Sequence, residues 1–192
     1  MNRDDIMARY QQQIARIEGS KVYSAHAKRV LAAKAYTQHQ AAMEQVRQSE
    51  LKAIEDRREQ LHRKMFGREN AADAQTVIAR RDANDRVAKL DNPRVAAEQL
   101  RDAIRQGDRT MAQALAQHAA GFGWSDVLEA YAEYQPGFRE TAAAFNELPD
   151  TTPGSTWSIQ HRFNHVVNPS SVLHDAQPHH IEQLAAQDLE AA

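Results

Sequence analysis

The chain has 192 residues, a formal net charge of −2 at pH 7 and no cysteine. The lack of cysteine excludes disulfides, thiolate nucleophiles and cysteine-based zinc sites. Hydrophobic residues make up 42% of the chain but aromatic residues only 6%, so alanine supplies much of the apolar count. Because alanine favours helix and buries little area, this composition predicts a protein of long helices.

Residues 3–66 contain no proline and one glycine, Gly19, and predict either one long helix or two helices. In the second case Gly19 and Ser20 act as a stop and an N-cap, which separates a helix over 3–17 from one over about 21–66. The later part of this segment has apolar residues at interrupted heptad spacing, typical of a seam that packs against a neighbouring helix of this chain or of an identical subunit. The seam residues are Leu51, Ile54, Leu61 and Met65.

A further helix is predicted over residues 71–90, ended by Asn92 and Pro93. Gly67 can close the long helix before it and Asn70 can cap the new one, so the simplest arrangement is an antiparallel hairpin.

From residue 93 the pattern changes to short helices with tight joints. Pro93 suits a first helical turn, Gly107 suits a helix stop, and Asp108 and Ser125 suit N-caps. In the stretch "HAAGFGWSDVLEAYAEYQPG", residues 118–137, the aromatic residues recur at helical spacing. This spacing predicts that Trp124 and Tyr131 belong to the core of a helical bundle.

Residues 149–177 fit a strand or a helix equally well by periodicity, and predict an extended arm or one short helix. The arm carries three apolar residues that could anchor it to a neighbouring protein: Trp157, Ile159 and Phe163. A terminal helix is predicted from Pro178, with Ile181 and Leu184 on its apolar edge.

Five of the nine histidines lie after residue 160. If residues 158–167 are helical, His161 and His165 share one face and could hold a divalent metal through neutral imidazoles, with Asp175 or His174 as the third ligand. The alternative is a pair of histidines with no bound metal. The sequence predicts no cofactor, and it lacks a phosphate-binding loop, a dinucleotide fingerprint and a nucleophile elbow, so no catalytic residue is predicted.

Positive charge is concentrated in the sequence "DRREQLHRKMFGR". A basic helix could follow a phosphate backbone, and the residues that would do so are Arg57, Arg58, Arg63 and Lys64. Acidic residues interrupt the cluster, which is typical of a solvated or salt-bridged helix face. Over the whole chain, residues 1–90 carry a net charge of +6 and residues 91–192 carry −8. The two halves could therefore attract each other within one chain or between neighbours.

Part of the bundle resembles small helical structural and assembly proteins of actinobacterial tailed phages and prophages. The resemblance covers residues 95–148 and implies a virion or assembly component. The long N-terminal helix is also similar in layout to phage scaffolding proteins, although their basic C-terminal helix-turn-helix is missing here. The residues that carry the resemblance are Ala103-Ile104-Arg105, Gly107-Asp108, Ala112, Ala116, Gly123-Trp124, Asp126-Val127 and Tyr131-Ala132.

The sequence therefore predicts an all-α protein with a basic helical hairpin over 1–90, an acidic bundle over 93–148, and an arm with a terminal helix over 149–192. We expect a non-enzymatic structural protein that binds copies of itself or other particle proteins. Nucleic-acid binding and a histidine-based metal site are the alternatives. The start of the chain does not fit a signal peptide and no apolar run suits a membrane span, so we expect the protein in the cytoplasm or in a virion.

Overall fold

A computed structural model describes residues 2–67 and 74–188. This part of the chain is all-helical and contains no strand, which confirms the predicted fold class. The α-helices, in chain order, are α1 (Arg3–Gly19), α2 (Ala25–Phe66), α3 (Ala74–Val87), α4 (Pro93–Gln106), α5 (Arg109–Phe122), α6 (Ser125–Tyr134), α7 (Phe138–Asn146), α8 (Thr156–Asn164) and α9 (Pro178–Ala185). A short 3-10 turn lies at Ser171–Leu173.

The N-terminal segment forms two helices, not one. Helix α1 begins with a capping box, in which the Asn2 side chain accepts a hydrogen bond from the backbone of Asp5, and it ends at Gly19. The cap of α2 is Ser24, whose Oγ accepts from the Ala27 N–H at 3.1 Å, and not Ser20 as the sequence suggested. Gly67 closes α2 as predicted, with a φ of 82° that favours glycine. Asn70, the proposed cap of the next helix, lies outside the described residues.

The chain divides into two compact units. Unit 1 comprises residues 1–53 and 150–192, and unit 2 comprises residues 54–149. The predicted division after residue 90 is therefore replaced by one inside α2, because the two ends of the chain pack together. The main helix contacts of unit 2 are not those of the predicted hairpin of α2 and α3. Instead, α3 packs on α5, and α4 packs on both α5 and α6.

The core of unit 1 joins α1 to α2 and to the C-terminal segment. Helix α1 contributes buried residues at helical spacing, among them Ile6 and Tyr10. The Tyr10 hydroxyl also donates a hydrogen bond to the Asn168 carbonyl at 2.9 Å. The core residues are Ile6, Tyr10, Ile14, Ile17, Ala32, Ala33, Ala35, Met43, Val167, Leu173 and Ile181. The segment predicted as an arm is therefore part of this core.

The core of unit 2 is built from the short helices α4 to α7 together with α3 and the end of α2. Gly107 has a left-handed φ of 70° and ends α4, and the Asp108 side chain caps α5, both as predicted. Tyr131 is fully buried and Trp124 packs against this core, which confirms their predicted place. Ser125, however, is the first residue of α6 and not its cap.

Each unit combines basic and acidic parts of the sequence. Unit 1 contains 10 Lys and Arg against 10 Asp and Glu, and unit 2 contains 14 against 16. In unit 1 the basic helix α2 meets the acidic C-terminal segment, where Arg29 lies 3.2 Å from Asp175. The opposite charges of the two sequence halves are thus combined within each folded unit.

The surface ion pair of Glu44 and Arg47 on α2 predicts how the stability of the fold changes at acid pH. A hydrogen bond from Arg47 lowers the pKa of Glu44 from 4.5 to about 2. Because folding stabilises the carboxylate, this contribution is complete above pH 4.5 and is lost as the pH falls towards 2. The Glu44 side chain is 51% exposed, so solvent screening keeps the effect small. We expect Glu44→Gln to cost less than about 1 kcal/mol at neutral pH, and urea denaturation should show the difference from wild type vanishing at low pH.

Candidate interaction helix

Helix α8 forms where the sequence was ambiguous between helix and strand. The Ser155 side chain caps it by accepting a hydrogen bond from the Ser158 N–H at 3.1 Å. The Ser155 hydroxyl also donates to the Asp150 carbonyl at 2.6 Å, which fixes the chain entering the helix. The resulting helix has one face turned to solvent and another turned into unit 1.

The outer face of α8 and the residue just beyond it present three exposed apolar side chains. Ile159 is 48% exposed, Phe163 is 73% exposed and Val166 is 46% exposed. Ile159 and Phe163 are four residues apart and lie on one side of α8, and Val166 follows two residues after the helix ends. Ile159 and Phe163 were predicted as anchors for a neighbouring protein, and Val166 extends the same surface. We call these three residues the α8 apolar face.

The inner face of α8 contains an aromatic and histidine stack. The Trp157 ring lies parallel to the His161 ring, with centroids 4.4 Å apart and planes inclined by 15°. The His165 ring follows at a further centroid distance of 4.4 Å. Trp157, predicted as an outward anchor, is therefore half-buried against His161.

Both histidines converge on one carboxylate of α2. Glu50 Oε2 lies 2.8 Å from His161 Nε2 and 3.2 Å from His165 Nε2. The two imidazole side chains are 9% and 4% exposed, whereas the Glu50 side chain is 47% exposed. This trio is the one metal-compatible group of three His, Cys, Asp or Glu residues found within residues 2–67 and 74–188.

The sequence predicted the two histidines of this trio but not Glu50. The candidate third ligands lie elsewhere, because Asp175 pairs with Arg29 and the exposed His174 contacts the Ser171 carbonyl through Nδ1. Glu50 is separated from His161 by 111 residues and lies among several charged residues of α2. No local spacing could have linked it to α8.

The predicted seam on α2 is mostly covered within the chain. Leu61 and Met65 are both 4% exposed, and Met65 belongs to the core of unit 2. They are therefore not available to an identical subunit, because the chain's own later helices require their apolar surface. Leu51 and Ile54 are half-buried.

The four basic residues proposed for nucleic-acid binding do not form one free surface. Arg58 donates to the Pro149 carbonyl at 2.6 Å, and its guanidinium lies 5.8 Å from the centre of the Phe145 ring. Arg63 pairs with Glu59 at 2.6 Å. Arg57 and Lys64 are exposed. Two of the four cations thus have intrachain partners that a phosphate would have to displace.

A groove of about 500 Å³ in unit 1 is lined by polar residues, but its charges are paired. Arg29 and Asp175 in its wall form the salt bridge described above, and His26 and His180 are exposed. None of the titratable residues that line this groove is fully buried.

No helix in the described part of the chain is both long enough and apolar enough to cross a membrane. Comparison with models of protein families, with curated proteins and with solved structures gives no match for this chain.

Proposed function

We propose that this protein is a non-enzymatic assembly protein that binds a second copy of itself through the α8 apolar face. The observation that carries the proposal is the exposure of Ile159 and Phe163 on one side of α8, together with the exposed Val166 two residues beyond the end of the helix. Burying such side chains against another protein is favourable in proportion to the apolar area removed from water. At a two-fold interface each residue of the face is buried twice, so even a short helix supplies a substantial contact.

The charge distribution favours an apolar contact over an electrostatic one. Each unit nearly balances its own basic and acidic residues, so little charge asymmetry is left to hold two copies head to tail. An association through the α8 apolar face should persist at high salt, where exposed ion pairs are screened. An association held by attraction between the basic and acidic halves of the sequence would instead weaken at high salt.

The proposal places the protein in a tailed-phage particle or its assembly pathway. Support for this context comes from the resemblance of residues 95–148 to small helical phage structural proteins. That range includes most of α4 and all of the short helices α5 to α7. The site of action would then be the cytoplasm during assembly and the virion afterwards.

Replacing Phe163 with aspartate is the direct test. We expect the wild-type protein to be a defined oligomer at micromolar concentration in size-exclusion chromatography with light scattering, at low and at high salt. Phe163→Asp should be monomeric, because a desolvated charge at the centre of the apolar contact is costly. Phe122→Asp is the matched control, since Phe122 is 64% exposed but lies in unit 2.

Two outcomes would contradict the proposal. The first is a wild-type monomer under all conditions, and the second is an oligomer that survives Phe163→Asp. If Ile54→Asp dissociates an oligomer that survives Phe163→Asp, the contact belongs to α2. Far-UV circular dichroism of each variant should show unchanged helicity, so that loss of the oligomer is not confused with unfolding.

A further inference from the structure

We propose that Glu50, His161 and His165 form a binding site for Zn²⁺. Their donor atoms all lie within 4.8 Å of one another, and they come from α2 and from the inner face and end of α8. This inference does not depend on self-association, because all three residues belong to unit 1 of a single chain.

The proton positions of His165 point to a cation. Its Nδ1 lies 2.7 Å from the His161 carbonyl oxygen, which can only accept, so Nδ1 must carry the proton. In the neutral ring Nε2 then has a lone pair, and this buried atom has no hydrogen-bond partner. It lies 3.2 Å from Glu50 Oε2, so two electron pairs face each other with no hydrogen between them. A metal ion between them would satisfy both atoms.

The distances suit a small tetrahedral ion. Zinc bonds of about 2.0–2.1 Å at tetrahedral angles place neighbouring ligand atoms about 3.3 Å apart. Glu50 Oε2 lies 2.8 Å from one histidine nitrogen and 3.2 Å from the other, so this oxygen needs to move away from the two nitrogens by only a few tenths of an ångström. Zinc would take the place of the hydrogen that His161 Nε2 now donates to Glu50, and in the neutral ring that proton would move to Nδ1, which frees the Nε2 lone pair for the ion.

The ligand set selects the type of metal. Two imidazole nitrogens and one carboxylate suit zinc and neighbouring transition metals, whereas Ca²⁺ and Mg²⁺ prefer oxygen ligands throughout. The hydrogen bond from His165 Nδ1 to a backbone carbonyl is the orienting contact that metal-bound histidines commonly have. Because the Glu50 side chain is 47% exposed, a water molecule from solvent can supply the fourth ligand.

Bound zinc would join α2 to α8 across 111 residues of sequence. A ligand that binds the folded state alone stabilises it in proportion to the logarithm of its concentration relative to Kd. At a zinc concentration about 100 times Kd, we expect the thermal midpoint of unit 1 to rise by roughly 10–20 °C. Trp157 can report the event, because its ring stacks on the His161 ligand.

The test measures metal binding to the full-length, untagged protein after removal of metals with a chelator. We expect isothermal titration with Zn²⁺ to give one equivalent per chain, together with a change in Trp157 fluorescence in a Trp124→Phe background. Co²⁺ should give the intense visible absorption of a four-coordinate site. Glu50→Gln and His165→Gln should each weaken zinc binding by at least about tenfold, the usual minimum for a lost ligand or its orienting partner.

Matched controls separate this site from other histidines and carboxylates. Glu55→Gln changes another exposed glutamate of α2. His174→Gln changes an exposed histidine that the sequence predicted as a candidate third metal ligand. Both should bind zinc as the wild type does. No binding at micromolar zinc, or binding that Glu50→Gln leaves unchanged, would overturn the proposal and leave the trio as a hydrogen-bonded ion pair. If His165→Gln fails to fold, Glu50→Gln alone decides, because Glu50 is half exposed.

Discussion

Replacing Tyr131 with alanine is expected to lower the free energy of unfolding of unit 2 by about 3–5 kcal/mol. The Tyr131 side chain is fully buried, and its ring meets Phe138 edge to face at a centroid distance of 5.1 Å. Its hydroxyl donates to the Met65 carbonyl at 3.0 Å and so ties α6 to the end of α2. The truncation would leave both a cavity and a buried carbonyl without its donor.

Chemical denaturation monitored by Trp124 fluorescence can measure this loss. A Trp157→Phe background restricts the signal to unit 2, because each unit contains one tryptophan. Tyr131→Phe separates the two causes, since it keeps the ring and removes only the hydroxyl, and we expect it to cost about 1–2 kcal/mol. Stability unchanged in Tyr131→Ala would show that Tyr131 is not a core residue.

Tyr131 should also make the stability of unit 2 depend on pH in the alkaline range. Burial raises the pKa of Tyr131 from 10.0 to about 12, because the phenolate is disfavoured away from water. The folded state therefore holds this proton more tightly than the unfolded state. Its contribution to stability is complete below pH 10 and is lost as the pH rises towards 12. Between about pH 9 and about pH 11 the wild type should lose more stability than Tyr131→Phe, which has no such proton.

Replacing Leu173 with alanine should have the second-largest effect and should act on unit 1. Leu173 lies in the 3-10 turn, is 1% exposed, and packs in the core with residues of α1 and α2. We expect a loss of about 2–5 kcal/mol, typical for a buried leucine whose cavity is only partly refilled. Denaturation followed by Trp157 fluorescence in a Trp124→Phe background reports on unit 1 alone.

The neighbouring residue is the control for this prediction. His174 is exposed, and its replacement by alanine should change the stability of unit 1 by no more than about 0.5 kcal/mol. Equal, small effects of Leu173→Ala and His174→Ala would mean that the C-terminal segment is a detachable arm. A large effect of Leu173→Ala alone would mean that this segment completes the core of unit 1.

The two proposals for α8 fail independently of each other. The α8 apolar face is tested by oligomer size, and the zinc site is tested by stoichiometric metal binding to one chain. Phe163→Asp leaves the three proposed ligands in place, and Glu50→Gln leaves the apolar face in place. A metal-free oligomer and a zinc-binding monomer are therefore both distinguishable results.

Local sequence was sufficient to predict features that depend on neighbouring residues. Gly67 and Gly107 end helices because a left-handed φ favours glycine, and Asp108 caps the next helix because its carboxylate reaches the free N–H groups there. The spacing of Tyr131 within α6 placed it on the core side. Helical periodicity and composition together determined that the fold is all-α.

Only the tertiary structure decided which distant segments meet. Leu61 and Met65 have the spacing of an intersubunit seam, but burial inside the chain is set by later helices that no local pattern specifies. The same is true of Glu50, one carboxylate among many on α2 until the fold places His161 and His165 beside it. Short-range propensities act along one helix, whereas metal ligands, core partners and unit boundaries depend on contacts between segments that lie far apart in the sequence.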